Sequence, residues 1–308
     1  MNKINKQTMD VSIIIVNYNT KDCLYNCIDS IYKNTKEIEF EIVVSDNGST
    51  DGSIEMILNN FPAVVLLKNN ENLGFGSANN RGLKKAKGRF IFYLNSDTIL
   101  LNNAVKQFYD YWAEYTDKEH LGALGCNLIN KKNIVVHSCG KFSQLYDDIK
   151  MFFKEYIHLL FFFIDLRKND ISQSIIKHTG ETDVIVGADL FLKNDDNAFF
   201  DERFFLYHEE EDLELQLSRK CKKRIIIDGP QIIHLEGKSD ETFKPKDRYS
   251  RFNSFSRIHD FLSKVKYHRK NNNNPIGIFL LKFVVLLIWL YPVNFTKSRF
   301  YLKDLFRA

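Results

Sequence analysis

The chain has few cysteines and no paired cysteine motif. Its five cysteines lie at positions 23, 27, 126, 139 and 221 of 308 residues, and no CxxC pair is present. A disulfide framework or a four-cysteine zinc site is therefore not expected. No secretory signal precedes the first apolar run, which begins at Val11. We therefore expect a reducing, cytoplasmic location.

The chain also lacks a strong charge of one sign. Its formal net charge of +4 is too small over this length to point to nucleic acid as a partner. Two nucleotide-binding signatures are incomplete. Gly74 and Gly76 begin a dinucleotide fingerprint whose third glycine is replaced by Asn79, and Ile232 stands where a Walker A loop needs its first glycine. A Rossmann dehydrogenase and a P-loop enzyme are therefore disfavoured.

Short apolar runs alternate with helical patterns in the first hundred residues. Strands are predicted from Val11, before Asp46, at 63–69 and from Arg89 towards Asp97, with helices or turns between them. Four such units imply right-handed crossovers and a largely parallel sheet. Ligands bind beyond the carboxyl ends of the strands in sheets of this kind.

Polar residues stand just past these strand ends, where they should converge on one rim. They are Asn17, Asn19, Asp46, Asn47 and Asp97. In the segment SDNGSTDG, Asp46 could accept hydrogen bonds from a base or ribose. The alternative is a well-formed turn in which Asp51 is a helix N-cap. Asp97 is a carboxylate at the end of a strand, where a divalent cation could link it to a diphosphate. Strands that end in Asn-Ser-Asp are commonplace, however.

Four acids at 209–212 follow an aromatic stretch. Mutual repulsion would raise the proton affinity of some of them, which suits a general base, whereas most charge runs are solvated helix faces. Leu213, Leu215 and Leu217 alternate, so the pattern leaves helix and strand open. His234 follows another apolar strand, and a lone histidine there is more often structural than a metal ligand.

The order and spacing of seven segments resemble glycosyltransferase family 2, particularly its rhamnosyltransferase-like members. The segments are VSIIIVNYNT, VVSDNGSTDGS, NENLGFGSANNRG, FYLNSDT, VIVGADLFL, DERFFLYHEEEDLELQLSRK and IIHLEGKS, between residues 11 and 240. The resemblance implies a GT-A fold, an α/β domain whose Rossmann-like, nucleotide-binding mixed sheet is flanked by helices. It also implies an inverting enzyme of bacterial surface polysaccharide synthesis. Such an enzyme moves rhamnose or another hexose from a nucleoside-diphosphate sugar to a hydroxyl of a glycan or lipid-linked oligosaccharide.

The same resemblance implies roles for individual residues. Nucleotide-sugar contacts are implied for Asn17, Asn19, Asp46, Asn47, Asn72, Gly74, Asn79, Arg81, Asn95 and Ser96. Asp97 ends the segment that takes the place of the family's DxD motif and is expected to hold Mg2+ or Mn2+, with His234 as a further ligand. Glu210 takes the place of the catalytic base. Glu209 is the next candidate, because this chain has Glu where Asp is commoner, and Asp212 is a structural partner at the helix start.

The end of the chain differs in character. Residues 276–293 form an apolar stretch interrupted only by Lys282, near the lower limit of about 17 residues for crossing a bilayer. Basic residues flank it, which suits an anionic membrane surface. We expect a catalytic domain at 1–240 and, at 241–308, a hydrophobic helical appendage that associates with a membrane or mediates homo-oligomerisation. Docking of this helix on the protein is the alternative, and the aromatic segment 142–164 is expected to be irregular.

Two other functions compete with glycosyl transfer. A nucleotidyltransferase would also bind a nucleotide and a metal, but it leaves the acidic cluster unexplained. A noncatalytic nucleotide-sugar-binding or membrane scaffold protein is the alternative from another class. The expected partners of the enzyme are a nucleotide sugar, a glycan or lipid-linked acceptor and the inner face of the cell membrane, without nucleic acid.

Overall fold

The computed structural model of the chain describes residues 9–160, 177–235, 254–291, 295 and 297–308. These residues form two compact units. The first unit comprises 9–141, 177–202 and 210–235, and the second comprises 142–160, 203–209 and the described residues from 254 onward. The boundary at residue 240 stays a prediction; segments 142–160 and 203–209 also fall in the second unit. The last two residues of the apolar stretch 276–293 lie outside the described residues.

Twelve described strands belong to the first unit. In chain order they are β1 (Val11–Asn17), β2 (Phe40–Asp46), β3 (Val65–Lys68), β4 (Phe90–Leu94), β5 (Thr98–Leu100), β6 (Leu121–Cys126), β7 (Cys139–Gly140), β8 (Gly180–Thr182), β9 (Val184–Ile185), β10 (Asp189–Lys193), β11 (Lys223–Ile227) and β12 (Ile232–His234). Eight of them form one sheet in the order β3-β2-β1-β4-β10-β6-β11-β8. Two small antiparallel pairs, β5 with β12 and β7 with β9, complete the set.

Strands β3, β2, β1 and β4 run parallel, as the four repeated units predict. Strand β10 then lies antiparallel between β4 and β6, and β11 pairs antiparallel with β8. The whole sheet is therefore mixed. Five helices connect these strands: α1 (Lys21–Asn34), α2 (Ser53–Asn60), α3 (Phe75–Leu83), α4 (Ala104–Glu114) and α6 (Glu209–Arg219). The acidic run of α6 is helical, which decides between the two readings that the sequence leaves open.

Alternate residues of the sheet join two hydrophobic clusters, one on each face. Ile13 and Ile15 of β1 belong to the cluster that contains buried residues of α1 and α4. Ile14 belongs to the cluster that contains residues of α3 and α6. This alternation follows from the two-residue period of a strand. Because both faces are covered, the strand reads as a continuous apolar run.

The described part of the second unit contains four helices: α5 (Leu145–Leu160), α7 (Phe255–Asn271), α8 (Pro275–Leu290) and α9 (Leu302–Arg307). The expectation that 142–164 is irregular is therefore wrong for the residues of α5. Phe152 of α5, Phe261 of α7 and Trp289 of α8 are completely buried in one cluster. One side of helix α8 thus packs against the other helices of the second unit.

Helix α8 starts at a well-defined cap. The Asn274 side chain accepts a hydrogen bond from Gly277 N at 2.9 Å, and Pro275 occupies the first helical position. Its 16 residues span about 24 Å at 1.5 Å per residue. Among the described residues, no helix is both long and apolar enough to cross a bilayer.

Candidate active site

Polar side chains at the ends of β1, β2 and β4 meet at one edge of the sheet. Asn17 Nδ2 donates to Asp46 Oδ2 at 2.7 Å. Thr20 Oγ1 donates to Asn17 Oδ1 at 2.7 Å and lies 2.9 Å from Ser96 Oγ. Because Thr20 gives its single hydroxyl proton to Asn17, Ser96 is the donor in the second bond. One continuous hydrogen-bonded chain therefore joins the three strand ends, as the predicted rim requires.

The loop after β2 is built around the Asp46 carboxylate, which is completely buried. Asp46 Oδ1 accepts hydrogen bonds from the backbone nitrogens of Gly48 at 3.1 Å and Ser49 at 2.8 Å. With the bond from Asn17, three of its roughly four acceptor positions are occupied. Asp46 therefore shapes this loop, which is the role that the turn interpretation gives it.

Asn19 and Asp51 tie the same loop to α1. Asn19 has a positive φ of 54° and its Oδ1 accepts from Thr50 N at 2.8 Å. Asp51 accepts from Lys21 N at 2.8 Å and from Ser53 N at 3.1 Å. Burial alone would raise the pKa of Asp51, but the hydrogen bonds from Ser53 and Lys21 lower it below its ordinary value. Asn19 is exposed at this rim, where it could meet a ligand.

A second network joins the loop before α3 to β2. Asn47 Nδ2 donates to Gly74 O at 3.1 Å and to Asn72 Oδ1 at 3.2 Å. Asn69 links the two sides, because its Nδ2 donates to Asn47 Oδ1 at 2.9 Å and its Oδ1 accepts from Arg81 Nη1 at 2.8 Å. Four of the predicted binding residues are thus brought together.

Asn79 is placed differently from its neighbours. It lies on α3, is only 1% exposed, and its Nδ2 has no hydrogen-bond partner within the described ranges. A buried amide without a partner is unfavourable. Asn79 is therefore poised for a polar group that the chain itself does not supply, and its role as a binding residue stays a prediction.

Asp97 and His234 are brought into contact by the pairing of β5 with β12. Thr98 pairs with His234 in this register, and Leu235 N donates to Asp97 O at 3.0 Å. The Asp97 Oδ1 and His234 Nε2 atoms are 3.3 Å apart, and both side chains are nearly buried. The two residues that the sequence analysis names as metal ligands therefore lie side by side.

This pair fits a divalent cation that receives its other ligands from a substrate. Two ligand atoms at about 2.1 Å from one ion and at right angles are roughly 3 Å apart, close to the 3.3 Å observed. Among the described residues, no group of three His, Cys, Asp or Glu side chains could hold a metal. Mg2+ is held through oxygen atoms, so an imidazole ligand favours a transition ion such as Mn2+.

Asp189, at the start of β10, is an acid that the sequence analysis missed. It is completely buried, its Oδ2 accepts from Cys126 N at 2.7 Å, and its Oδ1 has no hydrogen-bond partner in the part of the chain that is described. Burial raises the pKa of Asp189 to about 7, against the hydrogen bonds from Cys126 and the nearby His234, which lower it. Its only sequence signal is an acid inside the apolar run VIVGADLFL.

The acidic run of α6 is mostly buried. Glu209 is 2% exposed, Glu211 7% and Asp212 1%, whereas Glu210 is partly exposed. A Cβ atom added to Gly187 would lie 3.5 Å from Glu210 Cβ, so Glu210 passes close to the segment before β10. The expectation of a solvated helix face is wrong for this run.

The segment before β10 also contacts the residues that follow β4, two positions before Asp97. Asn95 N donates to Ala188 O at 3.1 Å, and Ala188 directly follows Gly187. A Cβ on Gly187 would also lie 3.6 Å from the Phe75 ring at the start of α3. Gly187 and Ala188 therefore form a short bridge between Glu210 and the segment that ends in Asp97.

One turn along α6, Glu214 is a buried acid with a raised pKa. It is completely buried, and its Oε1 accepts from Ile185 N at 2.8 Å. Burial raises the pKa of Glu214 well above its ordinary value; the bond from Ile185 opposes this rise and the neighbouring Glu210 and Glu211 add to it. The rise in proton affinity expected within the 209–212 run stays a prediction.

Thr20 and Asn69, which complete the two hydrogen-bond networks, were also missed from the sequence. Each directly follows or ends a predicted strand or turn, as the chosen residues do. Position after a strand was therefore a usable signal for both. The resemblance assigned neither of them a role.

Comparison with known proteins agrees with this geometry. The sequence profile of glycosyl transferase family 2 matches residues 12–153. A poly(ribitol-phosphate) beta-glucosyltransferase of Bacillus spizizenii is 34% identical over 122 residues, which are 38% of this chain and 19% of that protein. The Escherichia coli UDP-Glc:alpha-D-GlcNAc-diphosphoundecaprenol beta-1,3-glucosyltransferase WfaP is 36% identical over 121 residues, 35% of this chain and 47% of that protein. The chain thus spans less than half the length of these curated relatives.

Solved structures share the fold over nearly the whole chain. The mannosyltransferase PcManGT of Pyrobaculum calidifontis, in complex with GDP-Man and Mn2+, superposes with a TM-score of 0.53 at 16% identity, covering 97% of this chain and 75% of that one. TarS residues 1–349 of S. aureus, in complex with UDP-GlcNAc, gives 0.53 at 15% identity, covering 95% and 75%. The fold is GT-A-like, as expected, and residues 12–153 are similar to glycosyl transferase family 2.

Proposed function

We propose that the chain is an inverting glycosyltransferase. It takes a sugar from a nucleoside-diphosphate sugar and adds it to a hydroxyl of a glycan or lipid-linked oligosaccharide in bacterial surface glycan synthesis. The family match at residues 12–153 and the glycosyltransferase names of the relatives support this reaction class. Two solved structures with the same fold hold GDP-Man and UDP-GlcNAc.

The accessibility of Glu210 carries the proposal. Its three acidic neighbours in the 209–212 run are 2%, 7% and 1% exposed, while Glu210 remains partly exposed beside Gly187. A general base has to reach the proton that it removes. Of the four acids, Glu210 is therefore the one that an acceptor hydroxyl can approach.

The proposed reaction is a single displacement. The acceptor oxygen attacks the anomeric carbon and forms the new C–O bond as the bond from that carbon to the diphosphate oxygen breaks. Glu210 takes the acceptor's hydroxyl proton, and the nucleoside diphosphate leaves with the bonding electron pair. Attack opposite the leaving group inverts the anomeric configuration. This route needs no covalent enzyme intermediate, and so no serine or cysteine nucleophile.

Asp97 and His234 would hold the divalent cation. When bound, Mn2+ or Mg2+ supplies positive charge against the diphosphate. Asn17, Thr20 and Ser96 keep the end of β4 in register with β1 through their hydrogen bonds, and so position the segment that carries Asp97. Asn19, Asn72 and Arg81 are proposed to contact the nucleotide sugar.

The donor sugar and the acceptor are proposed from the names of the relatives. The relatives named above transfer glucose and the TarS complex contains UDP-GlcNAc, so we propose a hexose or N-acetylhexosamine donor, with rhamnose kept in the test. WfaP is named for a diphosphoundecaprenol-linked substrate. By analogy we propose a lipid-linked acceptor and a site of action at the cytoplasmic face of the cell membrane.

The test is a panel of nucleotide sugars with Mn2+ or Mg2+, read as release of nucleoside diphosphate. We expect one donor to turn over, and Glu210→Gln to lower kcat by roughly 100-fold or more, the usual contribution of a general base. Asp97→Asn should raise the Mn2+ concentration needed for donor binding, measured by calorimetry. Glu209→Gln tests the second candidate, and Asp196→Asn, an exposed acid of the first unit, is the matched control.

The outcomes separate the competing functions. A donor that binds without turnover, with a supplied lipid acceptor, would leave the noncatalytic nucleotide-sugar-binding alternative. Unchanged kcat in Glu210→Gln, with loss in Glu209→Gln, would move the base to Glu209. Formation of a nucleotide sugar from a nucleoside triphosphate would instead indicate a nucleotidyltransferase.

A further inference from the structure

The second unit contains an open cavity of about 540 Å3 with a basic lining. Five basic side chains and one acid line it: Arg203, Lys266, Arg269, Lys270, Arg307 and Asp304. We call this the basic cavity. Residues 254–308 contain ten Lys and Arg against two acids, a formal charge of +8 within a chain of +4. The part of the chain that supplies most of this lining is therefore strongly basic.

The basic cavity is held together largely by bonds to backbone oxygen atoms. Lys266 Nζ donates to Arg203 O at 2.9 Å, and Arg269 Nη1 donates to the backbone oxygens of Arg307 and Ala308. These bonds fix the end of α7 against α9. Lys270 Nζ lies 5.9 Å from the centre of the Phe204 ring. The lining is therefore positioned by the fold.

An exposed apolar row runs along α8. Ile276 is 73% exposed, Phe279 67%, Leu280 45% and Phe283 47%. Their spacing of three, four and seven residues places them on one side of the helix. The opposite side, which includes Leu281, packs in the core of the second unit. The fold therefore does not need this exposed row, which we call the α8 row.

The basic cavity and the α8 row are neighbours. Lys282 of α8 donates to Phe306 O at 3.4 Å, and Phe306 itself is 64% exposed. Partial burial, followed by repulsion from the Arg269 guanidinium, lowers the pKa of Lys282. Arg269 lines the basic cavity, so positive charge and exposed apolar side chains lie on one continuous surface.

This combination matches a lipid better than a soluble anion or a protein. A soluble phosphate compound needs the cations but not an exposed row of Ile, Phe and Leu. Anionic headgroups attract nearby Lys and Arg, while apolar side chains enter the boundary between headgroups and acyl chains. We propose that the basic cavity and the α8 row bind phosphate-bearing lipids at the surface of an anionic bilayer.

Phosphate headgroups occupy the basic cavity, and the α8 row lies at the level of the first acyl carbons. With 16 residues, α8 rests on the bilayer rather than crossing it. This inference rests on the proposed function and extends it. A surface that binds anionic lipids would hold the enzyme where a lipid-linked acceptor is found. Binding itself requires no sugar transfer.

The test is flotation of the full chain with vesicles of phosphatidylcholine, with and without phosphatidylglycerol, at physiological salt. We expect binding only to the anionic vesicles. The double variant Lys270→Glu with Arg307→Glu changes two exposed residues of the lining. It should lose at least about tenfold in affinity, since each basic residue near the surface contributes roughly fivefold. Lys131→Glu with Lys132→Glu, an exposed pair of the first unit, is the control with the same change in net charge.

A second pair tests the apolar part. Phe279→Ser with Phe283→Ser removes two exposed rings that stack 6.5 Å apart, and should also weaken vesicle binding while circular dichroism stays unchanged. Equal vesicle binding by the wild type, the lining variant and the α8-row variant would overturn the proposal. So would equal binding to neutral vesicles, or calorimetric binding of inorganic diphosphate without vesicle binding.

The transfer assay separates this proposal from the proposed function. Vesicle binding that depends on the lining, in a chain that turns over no donor, would refute the transferase and leave the lipid surface standing. Turnover with a soluble acceptor but no vesicle binding would refute the lipid surface and leave the transferase standing.

Discussion

Replacing Asp189 by Asn should change how the stability of the first unit depends on pH. The side chain is completely buried at the start of β10, with one oxygen bound to Cys126 N and the other without a partner among the described residues. Burial raises the pKa of Asp189 to about 7 from an ordinary value of 3.8. The folded chain therefore keeps a proton that the unfolded chain releases between these two pH values.

The sign and size follow from proton linkage. Where the folded state binds more protons, the free energy of unfolding falls as pH rises, by about 1.4 kcal/mol per unit for one proton. Over roughly three units the wild type loses about 4 kcal/mol between pH 4 and pH 7 from this residue. Residual structure in the denatured chain and water that enters the folded one both reduce the free-energy difference, so about 4 kcal/mol is an upper value.

Asn has the shape of the protonated carboxyl group and no charge to bury. Its Oδ1 can accept the bond from Cys126 N in place of the carboxyl oxygen. We expect Asp189→Asn to match the wild type near about pH 4 and to be the more stable protein near about pH 8, by up to about 4 kcal/mol. The measurement is urea unfolding across this range, in a Trp289→Phe background.

The Trp289→Phe background makes the fluorescence signal specific for the first unit. The chain has two tryptophans, and with Trp289 removed the fluorescence comes from Trp112, which is buried in the first unit. The control is Asp196→Asn, an exposed acid near the end of β10, which should leave the wild-type fall with pH in place. If Asp189→Asn and wild type differed by the same amount at both ends of the range, the reasoning would be refuted.

Two further substitutions test the stability of the two units, one in each unit. Gly88→Ala would place its Cβ 2.3 Å from the backbone nitrogen of Ser12 and should destabilise the first unit by about 3 kcal/mol in thermal or urea unfolding. Gly140→Ala meets its nearest atom only at 3.8 Å and should be nearly neutral, so equal losses would contradict this account. Asp148→Asn breaks a buried pair with His268 at 2.6 Å and should cost the second unit about 3 kcal/mol near neutral pH. Burial alone would raise the pKa of Asp148, but its partners lower it, so the loss should shrink as pH falls through the acid range; a constant loss would refute the ion pair.

The first four strands and their polar rim could be predicted because both depend on short-range pattern. Each strand is a short apolar run closed by turn-forming residues, and parallel strands bring their carboxyl ends to one edge. This alone predicts that Asn17, Asp46 and Asp97 lie at one edge. The bond of Asn17 to Asp46 and that of Thr20 to Ser96, beside Asp97, then follow from small polar side chains that meet in a buried space.

The contact between Asp97 and His234 could not be derived from pattern, because it depends on pairing between distant segments. Strand β5 has three residues and pairs with β12, which lies far along the chain. Strands this short carry little signal of their own. Only the resemblance to a family named both residues as ligands, and their roles in metal binding stay a prediction.

Helix α5 was missed although its apolar residues do follow a helical period. Leu145, Phe152 and Leu159 are buried at spacings of seven, and Ile149 and Tyr156 between them pack against the same cluster. Tyr146 and Phe153, which are more than half exposed, stand beside these positions in the sequence and obscure the pattern.

The acidic run of α6 argues for a functional site because burial there is unfavourable without one. Three of its four carboxylates are withdrawn from water, and the desolvation of each costs several kcal/mol before its own interactions are counted. Next to them, Glu214 relieves part of this repulsion, because its raised pKa favours the neutral, protonated form. A solvated helix face would need none of these arrangements. The arrangement leaves Glu210 as the accessible acid of the run, and accessibility is what distinguishes a base that meets a substrate from a buried neighbour such as Glu209.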